Sequence, residues 1–229
     1  MSEQSYSYSK THRSIEIFSI ISFILIILGL GYHLVQGYNS FHSKSELFGL
    51  ILTLVIIFSY ISADFISGLV HFLGDSFGTE ETPIVGASFI KPFRDHHTDP
   101  EGITRHDFIE TNGNNCIVSL PVLIAVYFYL PYKTDVLSYL LAWFILALML
   151  GIFMTNQIHK WAHLKNPGVV IKFLQDRSFI LNPDHHKIHH TAPFDRYFCI
   201  TCGWLNPFLY RIRFFEFILL LFKKNKKAY

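Results

Sequence analysis

The sequence predicts an all-α integral membrane protein with four transmembrane helices, a histidine-rich cap on the cytoplasmic side and a C-terminal helix in the membrane interface. Three observations carry this. Hydrophobic residues make up 51% of the 229 and charged residues only 16%, against roughly 25% charged in soluble domains. The apolar residues gather in runs long enough for a bilayer core of about 30 Å. Most of the 13 histidines fall on one side of those runs. Gly (13), Pro (9) and Cys (3) are too scarce for a collagen-like, disordered or disulfide-built chain. A balance of 19 basic to 17 acidic residues is too even for a nucleic-acid binder. No repeat or linker divides the chain, so 1–229 reads as a single membrane domain.

The first span is Ile15 to Val35, free of charge after Glu16. A signal peptide would have a shorter apolar centre, so this segment is read as a retained anchor. Leu47 to Leu73 is the second span. Asn115 to Leu130, with Pro121 inside, is a shorter third, and Val136 to Thr155 is the fourth. With the N-terminus in the cytoplasm, only Lys44 and Lys133 lie on the far side, which matches the positive-inside tendency. The stretch 204–222 carries Arg211, Arg213 and Glu216 and precedes Lys223, Lys224, Lys226 and Lys227. A fifth span would export those lysines, so the stretch is placed in the interface plane beside anionic headgroups.

This topology sorts the histidines. His71, His96, His97, His106, His159, His163, His185, His186, His189 and His190 all fall at the near-side ends of spans two and four or in the regions that follow, 71–106 and 159–190. His12, His33 and His42 are isolated and read as doing no chemistry. His159 and His163 are one helical turn apart, so both imidazoles can meet one ion. Asn182-Pro183 opens a short helix, which presents two further such pairs, His185 with His189 and His186 with His190. Two pairs about 100° apart suit two neighbouring metals. Asp64, His71 and Asp75 form one stripe along span two. An acid inside a membrane helix is functional by default, and Asp75, one turn after His71, is a candidate both to accept a ring N–H and to ligate directly. Asp64, Asp95, Asp99 and Asp184 are candidates to accept the second ring N–H of a metal-bound imidazole.

Imidazole suits Zn, Cu, Fe and Ni, whereas Ca and Mg want oxygen. Ten near-side histidines overfill one zinc site, so two ions are expected. Lys160 follows His159 where an HExxH protease has its glutamate. Cys199 and Cys202 form a lone CxxC, read as ordinary packing residues in a reducing cytosol. A dinuclear site at a membrane surface suggests a substrate whose reacting part is an acyl or alkyl chain. Side-chain acids and bases do not remove hydrogen from an unactivated C–H bond, and iron with O2 does, so redox iron is preferred to zinc. A membrane hydrolase and a bis-histidine haem protein stay open, although haem explains two or four histidines and not ten.

Five stretches carry a family resemblance: Asp64-Phe-Ile-Ser-Gly-Leu-Val-His71-Phe-Leu-Gly-Asp75, the run from Phe93 to Gly113 that contains His96-His97 and Arg105-His106-Asp107-Phe108-Ile109-Glu110, Gln157-Ile-His-Lys-Trp-Ala-His163, His185-His-Lys-Ile-His-His-Thr-Ala-Pro193, and Tyr197-Phe-Cys-Ile-Thr-Cys-Gly-Trp-Leu-Asn206. From about Asp64 to Asn206 the chain resembles the Kua/CarF lipid desaturases, among them plasmanylethanolamine desaturases. The resemblance implies a di-iron, O2-consuming oxidoreductase that introduces the vinyl ether double bond into the 1-O-alkyl chain of an ether phospholipid, in plasmalogen biosynthesis. Electrons would come from a donor such as cytochrome b5 or a ferredoxin, and the membrane would be the bacterial inner membrane or the endoplasmic reticulum. The shared core carried over is His71, His96, His97, His159, His163, His186, His189 and His190. His106 matches the plasmanyl branch, and His185 lies outside the repeated pattern. An acyl-lipid desaturase, a hydroxylase and a non-catalytic metal-binding membrane protein are the competing readings.

Overall fold

The computed structural model describes residues 9–42, 46–83 and 85–225. All regular elements among them are helical: α1 (Lys10–His42), α2 (Phe48–Ser76), α3 (Lys91–Thr98), α4 (Phe108–Tyr129), α5 (Val136–Ala162), α6 (Val169–Asp176), α7 (Pro183–His189), α8 (Asn206–Arg211) and α9 (Phe214–Asn225). A π-helical turn, Gly86–Ile90, leads into α3, and a 3-10 turn, Gly102–Arg105, precedes α4. Helices α1, α2 and α5 are long and apolar enough to cross a membrane, so the chain is a multi-pass membrane protein.

Expected spans 15–35 and 136–155 lie inside α1 and α5, and 47–73 coincides with α2 within three residues at either end. Helices α1 and α5 outrun their apolar segments, α1 at both ends and α5 at its C-terminal end. The expected span 115–130 falls in α4, which starts at Phe108. Asp107 caps it, its Oδ1 accepting the N–H groups of Ile109 (2.9 Å) and Glu110 (3.0 Å). The first half of α4 carries Thr111, Asn112, Asn114 and Asn115, and α4 is not among the helices apolar enough to span.

The contacts divide the chain into two compact units, Met1–Tyr60 with His106–Gln157, and Ile61–Arg105 with Ile158–Tyr229. In the first, α1 runs along α4. Phe23 stacks on Phe153 with ring centres 4.9 Å apart, and the buried Tyr139 hydroxyl donates to the Leu34 carbonyl at 2.5 Å. The polar residues of α4 find partners here, Asn115 donating to the Ile152 carbonyl (2.8 Å) and Asn112 to Gln157 Oε1 (3.2 Å).

In the second unit, Phe72, Phe198, Cys199, Leu209 and Phe215 form a core. The loop between α7 and α8 docks on α2. Asp64, fully buried, accepts through Oδ1 from the backbone N–H groups of Thr201 (3.2 Å), Cys202 (2.8 Å) and Gly203 (2.8 Å), and through Oδ2 from Leu205 (3.2 Å). Ser67 Oγ accepts from Ile200 N–H at 3.0 Å. Gly68 leaves the space that Cys199 fills, since a Cβ there would stand 2.4 Å from its Sγ. Asn206 clamps the loop, accepting from Cys199 N–H (2.8 Å) and donating to its carbonyl (2.9 Å).

The expected interfacial stretch 204–222 contains two helices instead of one. The break between α8 and α9 falls at Ile212 and Arg213, where Arg213 takes a positive φ of 54° and pairs with Glu216. Lys44, Lys226 and Lys227 lie outside the described residues.

Candidate metal centre

The second unit brings nine of the expected side chains into two adjoining groups, His96, His159, His163, His186 and His190 in one, and His71, Asp75, His97 and His189 in the other. Within each, the donor atoms lie within 4.8 Å of one another. Helix α5 and the turn just after it supply His159 and His163. The short helices α3 and α7 serve both groups. Consecutive helical residues point about 100° apart, so His96 and His97 diverge, and His189 leaves the face shared by His186 and His190. Asn182 fixes the start of α7, its Oδ1 accepting from Asp184 N–H (2.8 Å) and His185 N–H (3.3 Å). The two groups meet where the His190 ring lies 5.4 Å from those of both His97 and His189.

In the five-histidine group the Nε2 atoms face one another. His159 is 2.9 Å from His186, His186 is 3.0 Å from His163 and His163 is 3.3 Å from His159. His190 lies 3.0 Å from His186 and 3.1 Å from His96. A nitrogen of neutral imidazole either donates or accepts. In a closed triangle of three such atoms at least one edge must therefore pair two donors or two acceptors. A cation removes the conflict by making all of them donate lone pairs to it. Nitrogens about 2.0–2.1 Å from one ion and at right angles stand roughly 3 Å apart, which is the spacing of these edges.

The second group tells the same story with a carboxylate. Asp75 Oδ2 lies 3.4 Å from His71 Nε2, 3.1 Å from His97 Nε2 and 3.5 Å from His189 Nε2. All four atoms are buried and without a hydrogen bond. The opposite ring nitrogens are engaged: Nδ1 of His189 bonds to the Arg196 carbonyl (2.9 Å) and Nδ1 of His71 to the Phe198 carbonyl (3.2 Å). These carbonyls accept Nδ1–H, which leaves Nε2 with its lone pair turned into the group. The donor chemistry of both groups fits a transition metal.

The electrostatics agree. Burial first, then neighbouring imidazoles, holds His96 down at about 2 and His190 at about 3. Burial holds His189 at about 3 and His163 at about 4, and His186 well below its ordinary range. These rings are neutral at physiological pH, the form that binds metal.

Other expected residues sit elsewhere. His185 is in neither group. Its Nε2 pairs with Asn206 Nδ2 at 3.1 Å and its ring packs on Tyr197, so the expected pairing of His185 with His189 does not form. His106 belongs to the first unit, with Nε2 3.7 Å from Glu110. Asp95 pairs with Lys91 at 3.2 Å and Asp99 with Arg105, while Asp184 is exposed in the first turn of α7. Asp64 meets backbone N–H groups where an imidazole was expected. It acts at one remove, by holding the loop whose carbonyls orient His71 and His189. Sequence reasoning missed those carbonyls, with Ser67, Gly68 and Asn206, because a backbone acceptor leaves no mark in residue identity. Cys199 and Cys202 are buried free thiols outside both groups, pushed up by burial.

Two cavities reach the groups. One of about 830 Å³ is lined by Asp75 and His97, together with Arg94, Arg196, Phe72 and residues of α8 and α9. A second of about 360 Å³ is lined by His163, His186, His190 and Glu101.

Residues 60–225 match the family model described as the lipid desaturase domain. The chain is 43% identical over 208 residues to the plasmanylethanolamine desaturase of Myxococcus xanthus, covering 91% of this chain and 71% of that protein. It is 50% identical over 161 residues to plasmanylethanolamine desaturase 1 of Mus musculus, covering 68% of this chain and 59% of the mouse protein. Identity to the chloroplastic fatty acid desaturase 4 of Arabidopsis thaliana is 32% over 166 residues, 71% of this chain and 49% of that protein. No solved structure matches the chain significantly. With every grouped imidazole inside the matched segment, the chain belongs to the lipid desaturase domain family.

Proposed function

We propose that the protein is a di-iron desaturase that converts a plasmanylethanolamine-type ether phospholipid to the corresponding vinyl ether, the plasmalogen. The observation that carries this reading is the pair of adjoining donor groups in a chain 43% identical, over 91% of its length, to a plasmanylethanolamine desaturase. The weaker identity to the chloroplast protein, 32%, favours the ether-lipid chain over an acyl chain.

His96, His159, His163, His186 and His190 would hold one ion and His71, Asp75, His97 and His189 the other. Iron with O2 supplies the oxidising power that no side chain here has. In balance, the alkyl chain loses two hydrogen atoms from adjacent carbons as a C=C bond forms. Two electrons from a donor such as cytochrome b5 or a ferredoxin, with two protons, complete the reduction of one O2 to two waters. The chain's own residues hold neutral lone pairs in place and, through the Arg196 and Phe198 carbonyls, fix His189 and His71 in the binding tautomer. Phe72, Phe194 and Phe215 give the larger cavity an apolar wall beside Asp75 and His97.

The same reading takes the chain as one membrane domain in which α4 is a fourth span, the imidazoles face the cytoplasm and α8 and α9 lie in the interface. The sidedness of the basic residues supports this arrangement. Expression in cells lacking plasmalogens, followed by assay for acid-labile vinyl ether lipids, tests the function. Vinyl ethers are the expected product. New acyl double bonds or hydroxylated chains without them overturn the substrate assignment, and bound metal without any lipid product overturns the enzyme.

A further inference from the structure

The larger cavity has a second character besides its apolar wall. Four arginines line it: Arg94 from α3, Arg196 from the loop after α7, Arg211 from α8 and Arg213 from the turn before α9. Two of them are engaged. Arg213 pairs with Glu216, and Arg94 donates to the Gly78 carbonyl at 2.7 Å. Arg196 is different. Its Nε is buried with no hydrogen-bond partner, and its guanidinium stands over the Tyr210 ring at 5.7 Å. A stacked guanidinium keeps its N–H edge free, and a planar fork of donors matches the oxygens of a phosphate. A buried donor without an acceptor is costly unless something supplies one.

The same cavity runs to Asp75 and His97, and its volume of about 830 Å³ lies in the usual range for organic ligands. Helix α9 forms one wall with Phe215 and Leu219 and shows Phe217, Leu220 and Leu221 on its outer side. That apolar exterior suits a ligand arriving from a bilayer.

We propose that this cavity is a phospholipid site in which Arg196, with Arg211 lining the same space, holds the phosphate diester while a hydrocarbon chain lies along the apolar wall towards Asp75 and His97. Arg196 is then a specificity-determining residue that separates phospholipids from neutral glycerolipids with identical chains. Its backbone carbonyl already orients His189, so one residue serves both the ligand's polar end and the donor group. The proposal deepens the desaturase reading and rests on it only for which bond reacts.

The test uses full-length protein in nonionic detergent, offered equal amounts of an ether phospholipid and the neutral 1-alkyl-2-acylglycerol with the same chains. Bound lipid is read by native mass spectrometry. Wild type is expected to favour the phospholipid by roughly tenfold or more, the scale of a charge-assisted hydrogen bond. Arg196→Gln and, independently, Arg211→Gln bring the ratio towards one without lowering uptake of the neutral lipid, and Arg196→Lys keeps part of the preference. An unchanged ratio in both glutamine variants overturns the proposal, as does an equal loss of both lipids. Excess inorganic phosphate that abolishes the preference assigns the site to free phosphate instead. Binding of an acidic electron-transfer protein that Arg196→Gln removes, with lipid uptake untouched, also overturns it. Vinyl ether formation on the same preparations is a separate readout. A wild type that shows the lipid preference yet forms none overturns the desaturase reading and leaves the phosphate site standing.

Discussion

At the scale of single residues, the two groups separate side chains that hold the proposed ions from neighbours of the same type that do not. Replacing His163 or His190 with Ala removes one of five converging nitrogens, and such a variant is expected to lose at least about tenfold in metal affinity. Desaturation is lost with it, while the protein still inserts in the membrane. His106→Ala is expected to keep its metal. Elemental analysis of the three purified variants checks both statements. In the metal-free protein, pH should act with a definite sign. His189 and His190 stay neutral down to about 3 and His163 to about 4 because they are buried, whereas in the unfolded chain each titrates near 6.5. Between those limits the unfolded state binds more protons. Stability therefore falls as pH drops from about 6.5 towards 3. Thermal melting of chelator-treated protein across this window would show the fall, and a flat profile would contradict the burial of these rings.

At the scale of elements, the loop from Phe194 to Asn206 explains why part of the site was legible and part was not. The i, i+4 spacing of His159 with His163 and of His186 with His190 is a local property of a helix, and each pair enters one group as expected. Which group a neighbouring histidine joins is decided by tertiary contacts. The loop offers His189 a carbonyl at Arg196, whereas His185 meets the Asn206 amide. Asp64 likewise read as an imidazole partner because it is a buried acid, yet it serves the loop backbone. The close approach of this loop to α2 requires Gly68. Gly68→Val should destabilise the protein by roughly 1–3 kcal/mol, as overpacking does, and lower metal content with it. Adding Cys199→Ala should rescue only part, because the Cys199 backbone nitrogen would still lie 3.1 Å from a Cβ at position 68. Thermal unfolding in detergent, with and without metal, distinguishes the single from the double variant.

At the scale of the whole molecule, the apolar helices were the most legible feature, because a bilayer imposes a length and a composition that few other environments do. Hydropathy located α1, α2 and α5. It located α4 less well, since the Asn and Thr residues in its first half bond to neighbours that only the folded chain provides. Sidedness follows from the number of spans. With four spans, a cysteine placed at Lys133 should react with a membrane-impermeant reagent from the far side, and one at Lys187 only after the membrane is opened. Without α4 as a span the two positions would exchange sides, Lys187 reacting from outside and Lys133 only after the membrane is opened.

Helices α3 and α7 each contribute rings to both donor groups, and this sharing has a consequence for assembly. An ion captured by His96, His186 and His190 also positions His97 and His189, the adjacent links of the same two short helices. Occupancy should thus climb as one event, giving a steep anaerobic iron titration with a Hill slope above one and few half-loaded molecules.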